Sequence, residues 1–126
     1  MFLRFLLVIV FFSILASCSA NQLTLKSQLI PSEHPSAFEL ENAISIKAEK
    51  AKTSKLNAGT RWHKFGTIEQ GEVYRSKDQI VIVNSFNVHE GYIVVQNSEV
   101  VGYYLPVEKT FVQSEPTSIN LIEVTE

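Results

Sequence analysis

Apolar positions fall along this chain in three different regimes. Sixteen of the first twenty residues are apolar, in one block that gives way to polar sequence. Between residues 37 and 53 the apolar positions are sparse and mostly alanine. Ala37, Leu40, Ala43, Ile44, Ala48 and Ala51 fall on one side of a helical wheel with about 3.6 residues per turn. Ser36-Ala37-Phe38-Glu39 fits a helix-opening capping box. The spacing predicts an amphipathic helix within 37–56, stopped before Asn57-Ala58-Gly59. Phe38 and Ile46 lie off its stripe, and such a helix is expected to dock on the core of its own domain.

From Gly59 onward the regime changes again. All five glycines lie here, with eight of the thirteen aromatic residues between Trp62 and Phe111. β-branched and aromatic residues recur in short runs: Phe65–Glu69, Glu72–Arg75, Gln79–Phe86, Val88–Gln96, Glu99–Leu105 and Ile119–Val124. Turn formers bound them, such as Glu69-Gln70-Gly71, Ser76-Lys77-Asp78 and Gln96-Asn97-Ser98. Strands at this spacing predict an antiparallel meander closed into a small barrel or sandwich. Ile80-Val81-Ile82-Val83 and Tyr92-Ile93-Val94-Val95 are apolar on both faces, so the sheet must close on itself or have the helix laid over one side. The expected fold is therefore mainly β with one N-terminal helix, the β-rich domain occupying 59–126.

The first block has the three parts of an export signal: Arg4 beside the α-amine, an apolar core from Phe5 to Leu15, and small residues Ala16-Ser17-Cys18. That core is shorter than the ~20 residues of a spanning helix and no positive stop-transfer cluster follows it. Leu15-Ala16-Ser17-Cys18 resembles the lipobox of bacterial lipoprotein precursors at all four positions. The resemblance implies that residues 1–17 are removed as a signal peptide and that Cys18 carries a thioether-linked diacylglycerol and an N-acyl chain. It implies no other cofactor. A thiol suits that chemistry because it ionises more readily than a hydroxyl. Two or three acyl chains anchor a protein stably to a membrane, where one chain does so only marginally. The competing reading cuts after Ala20 and discards the cysteine. Ser19, where enteric lipoproteins retained in the inner membrane tend to carry Asp, is similar to the pattern of outer-membrane lipoproteins facing the periplasm. Residues 18–36, with Pro31 and Pro35 among scattered polar residues, are expected to form a flexible tether.

Charge and chemistry narrow the function classes. A chain beginning at Cys18 has a formal charge near −3, which argues against a nucleic-acid partner. The single cysteine cannot form an internal disulfide or a thiolate cluster. The three histidines, His34, His63 and His89, have no metal-ligand spacing, and no serine sits in a nucleophile elbow. No catalytic or metal-binding set is expected. The aromatics are the better candidates for binding. Trp62, Tyr74, Tyr103 and Tyr104 offer surfaces for sugars or proline-rich peptides, with core packing as the competing role. Tyr103 and Tyr104 are adjacent in a predicted strand, so they face opposite sides. Gly71–Pro106, with Val101-Gly102-Tyr103-Tyr104-Leu105-Pro106, resembles bacterial SH3-like domains, which implies a peptide or peptidoglycan ligand. The expected function is a non-enzymatic envelope lipoprotein binding a periplasmic protein partner or peptidoglycan, as an accessory of an envelope or secretion assembly. The alternative is a cell-wall hydrolase or a hydrolase inhibitor.

Overall fold

The described residues between 37 and 56 form strands rather than a helix. In the computed structural model, which describes residues 24–48, 51–85 and 87–124, they form β3 (Ala37–Leu40), β4 (Ile44–Ala48) and β5 (Ala51–Leu56). This corrects the fold expectation: among the described residues there is no helix. The physical reason lies in what each conformation buries. A helix would bury mainly alanines and leave Phe38 and Ile46 off its stripe. Alternation buries Phe38, Leu40, Ile46, Ala48 and Leu56 in the main core, while Ala43 is exposed. Glu39, cast as the capping-box acid, instead lies 4.0 Å from Arg61. Ser36 contributes its carbonyl, which accepts the Lys64 N–H at 2.8 Å.

The remaining strands are β1 (Thr24–Lys26), β2 (Ile30–Pro31), β6 (Arg61–Ile68), β7 (Gly71–Ser76), β8 (Val81–Ser85), β9 (Asn87–Gln96), β10 (Glu99–Leu105), β11 (Thr110–Ser118) and β12 (Leu121–Val124). Among the described residues, ten strands form one antiparallel sheet in the order β1-β11-β10-β9-β7-β6-β3-β12. β2 sits beside β6, and β8 beside β9. The β4–β5 hairpin is a separate two-stranded layer, with β4 against β11 and β5 against β8. It covers the face carrying Trp62, Tyr74, Ile93, Val95, Tyr103 and Val112. The covering layer demanded by the two-faced apolar strands is thus a hairpin. Asn97 and Ser98, both left-handed, make the two-residue turn between Gln96 and Glu99, a geometry matched to strand twist.

Two β-bulges decide which side chains face which core. In β6, Lys64 pairs with Tyr74 and Gly66 with Val73, so Phe65 is the extra residue. Trp62 faces the main core, yet Ile68, six residues on, belongs to a second cluster with Val73, Val94, Tyr104 and Phe111. Val101 does the same in β10, which sends Val100 to one core and Tyr104 to the other. Gly102 follows that bulge because a Cβ there would stand 2.3 Å from the Val112 carbonyl and 2.7 Å from the Phe111 ring.

The expected tether also needs correcting from Thr24 onward. β1 pairs with β11 and β2 with β6, so residues 24–31 strap two strands far apart in the sheet order. Six strand spacings separate these positions, about 29 Å on a flat sheet. The four steps from Lys26 to Ile30 reach at most about 14 Å. The sheet therefore curls, and the strap bridges its mouth. Leu29 packs on the second cluster, and the Ser27 N–H donates to the Lys109 carbonyl at 3.0 Å. Polar strap residues that read as tether are thus spent on bonds to the sheet. Residues 18–23 lie outside the described residues, as does the expected signal peptide.

Candidate binding site

The four aromatic candidates are all core residues. Trp62 is 1 % exposed, and its Nε1 donates to Thr60 Oγ1 at 2.9 Å, while that hydroxyl donates to the Asn57 carbonyl at 2.6 Å. Tyr74 is 6 % exposed, its ring edge-on to Phe38 with centroids 4.8 Å apart. Its hydroxyl donates to Glu72 Oε2 at 2.9 Å, and Lys64 Nζ reaches Glu72 Oε1 at 3.2 Å. Burial first, and then the neighbouring Glu72 carboxylate, raise the Tyr74 phenol well above its ordinary range. Burial alone would raise the Glu72 carboxyl too, but the Tyr74 hydroxyl and the Lys64 ammonium outweigh it and hold Glu72 below its ordinary value.

Tyr103 is fully buried, and its hydroxyl makes no hydrogen bond of normal geometry. Burial raises this phenol, an effect that the approach of Ser54 partly offsets. Tyr104 faces the opposite core, as adjacent strand residues must, and burial raises its phenol as well. Tyr104, though buried, lines a cleft. Cys18 lies outside the described residues.

The cleft that Tyr104 borders holds about 380 Å³ and is lined by Gln28, Leu29, Phe65, Tyr104, Pro106 and Lys109. The strap supplies one wall, the bulge supplies Phe65, and the β10–β11 connection supplies Pro106 and Lys109. Phe65 is half-buried, held edge-on against Tyr92 at 5.0 Å and 70°. On the other side of Phe65 a second concavity of about 300 Å³ is lined by His63, Lys64, Arg75 and Lys77. His63 and Arg75 are direct cross-strand partners, so their side chains leave the sheet on one face.

These two concavities share Phe65 as a wall, one mixing apolar side chains with Lys109 and the other mainly cationic. Such a surface can accept an apolar group and an anion at once; it has the shape of a recognition site. His89 Nδ1 lies 2.7 Å from Glu108 Oε1, and His34 is exposed on the strap side of β3. Among the described residues no group of three or more His, Cys, Asp or Glu is gathered to hold a metal.

Sequence reading placed Phe65 in a strand but not at a site. A bulge residue looks like any other member of an apolar run, and only the pairing of β6 with β7 shows that it is extra. Arg75 and Lys77 carried no signal either, because their meeting with His63 depends on register. Comparison with protein-family models, with curated proteins and with solved structures gave no match to this chain.

Proposed function

We propose that this protein is an envelope lipoprotein, anchored through Cys18, whose β-domain is a non-catalytic binding module for a periplasmic protein partner or peptidoglycan. The Leu15-Ala16-Ser17-Cys18 motif carries the anchoring. The cleft beside Phe65 supports the binding role, being the concave aromatic surface that the core leaves open. The mechanism is localisation: a lipid confines the module to one surface and raises its effective concentration near other components of that surface. The outer membrane, periplasmic side, follows from Ser19 after the lipidated residue.

Two measurements test this reading. Cys18→Ser should abolish incorporation of a fatty-acid analogue and release the protein from the membrane fraction. Persistent labelling of the variant would remove the anchor. Full-length protein in detergent, mixed separately with isolated peptidoglycan and with solubilised envelope protein, should be retained by one of them. Phe65→Ser with an unchanged circular dichroism spectrum should lose that retention, and retention equal to the parent would remove the cleft as the binding face. Soluble wall fragments released by the protein would replace the binding role with a hydrolytic one.

A further inference from the structure

Three of the cations lining the two concavities lack a carboxylate partner, as Lys26, Lys47 and Lys55 do among the described residues, and what sets the three apart is their place beside Phe65. Lys64 is paired with Glu72 at 3.2 Å, Arg61 faces Glu39 at 4.0 Å, and Lys26 Nζ donates to the Glu108 carbonyl at 2.7 Å. Among the described residues no carboxylate pairs with Arg75, Lys77 or Lys109. Arg75 and Lys77 line the concavity on one side of Phe65, and Lys109 lines the cleft on the other. The surface therefore presents cation, aromatic ring and cation in sequence, on a protein whose overall charge is negative. Uncompensated charge of one sign in a concave site draws the opposite sign.

We infer that this face binds an extended acidic peptide segment of a partner protein, with an apolar side chain seated between Phe65, Leu29 and Pro106 and carboxylates on Arg75, Lys77 and Lys109. The inference rests on the Phe65 cleft being the binding face proposed above, and it names the chemistry of the ligand there. Arg75 suits a carboxylate because its planar guanidinium can meet both oxygens. A cleft of a few hundred cubic ångströms on each side of Phe65 accommodates individual side chains rather than a folded surface. A glycan is disfavoured: apart from Gln28, the lining of the two concavities has no amide or carboxylate to match sugar hydroxyls.

The test uses full-length protein in detergent and a fluorescein-labelled peptide of alternating Glu and Leu, followed by fluorescence anisotropy. The Glu-Leu peptide should bind, and a Lys-Leu peptide of equal length should not. The double variant Arg75→Glu/Lys77→Glu should weaken binding by about tenfold or more, since it removes two charge-assisted contacts and replaces them with repulsion. The charge-matched control Lys47→Glu/Lys55→Glu, at exposed positions of β4 and β5, should bind as the parent does. Equal binding of the two peptides, or an unaffected double variant, overturns the inference. Anionic vesicles or peptidoglycan retained through Arg75 and Lys77 while the peptide is ignored would overturn it too. Loss on Phe65→Ser without loss on charge reversal leaves the cleft standing and refutes only its preference for acid.

Discussion

The Tyr74 hydroxyl, the Glu72 carboxylate and the Lys64 ammonium form a short chain at the edge of the main core, and its protonation sets a direction for stability. Glu72 in the folded state titrates below its ordinary value of 4.5. A group depressed in this way contributes stability above its unfolded pKa and loses it as pH falls through the folded one. Tyr74→Phe removes the hydroxyl that holds Glu72 down. Urea midpoints should therefore fall less steeply on acidification in this variant than in the parent. The tyrosines give the opposite limb. Burial raises Tyr74, Tyr103 and Tyr104 above the phenol value of 10.0, so the stability they contribute is present below that pH and lost as pH rises through their folded values. Phenolate absorbance and loss of the β-sheet dichroism should accordingly appear together in an alkaline titration. Tyr103 separates packing from polarity. Its buried hydroxyl lacks a good partner, so Tyr103→Phe should leave stability unchanged or raise it by up to about 1 kcal/mol. Tyr103→Ala should cost about 3–5 kcal/mol, the cost typical of removing a buried aromatic. Loss of ligand binding on Tyr103→Ala would therefore report a damaged core.

At the scale of elements, the sequence was most legible where turns and β-branched runs coincide. The strands from β6 to β10 lie close to the apolar runs, because Gly, Asn and Asp punctuate them. β11 gave no such signal: Phe111 and Val112 are adjacent rather than alternating, and Gln113 to Pro116 read as a loop. Pro116 is tolerated because β1 pairs only with residues 110–112, leaving that edge of β11 without a strand partner among the described residues. The stretch 37–56 was misread because alanine fits both periods, and only Phe38, Ile46 and Leu56 discriminate. Two substitutions measure that difference. Ile46→Lys places a charge in the main core and should cost at least about 3 kcal/mol, enough to unfold a domain of marginal stability. Ala43→Lys should fall within about 0.5 kcal/mol of the parent, since Ala43 is exposed. A helix with the predicted stripe would reverse the two results. The bulge offers a further measurement. At Gly66 a Cβ would meet the Ile30 carbonyl at 2.5 Å and Leu29 Cδ1 at 2.9 Å. Gly66→Ala should cost about 1–3 kcal/mol and speed amide exchange at Leu29 and Ile30, because the strap has to move away from β6.

For the molecule as a whole, the mainly β character was legible in the sequence, while the concave face around Phe65 emerged only from three-dimensional placement. His63, Arg75 and Phe65 meet because of one register and one bulge; Leu29, Pro106 and Lys109 join them because the sheet curls under its strap. No linear pattern encodes such a convergence. The strap has a mechanical consequence for the anchoring proposed at Cys18. Cys18 and Thr24 are six residues apart, and Thr24 is already paired with Val112. A fully stretched chain of that length covers about 20 Å. With lipid on Cys18, the domain works as a short-leashed reader that can sample only what lies within about one domain diameter of its own bilayer. Under the proposed anchoring, its targets would be restricted to the membrane-proximal layer, whatever their affinity for the cleft. Inserting a flexible Gly/Ser segment between Ser19 and Ala20 should extend the zone in which cross-links to neighbours form, without changing peptide affinity in detergent; an unchanged cross-linking pattern would show that reach is not what selects the partner.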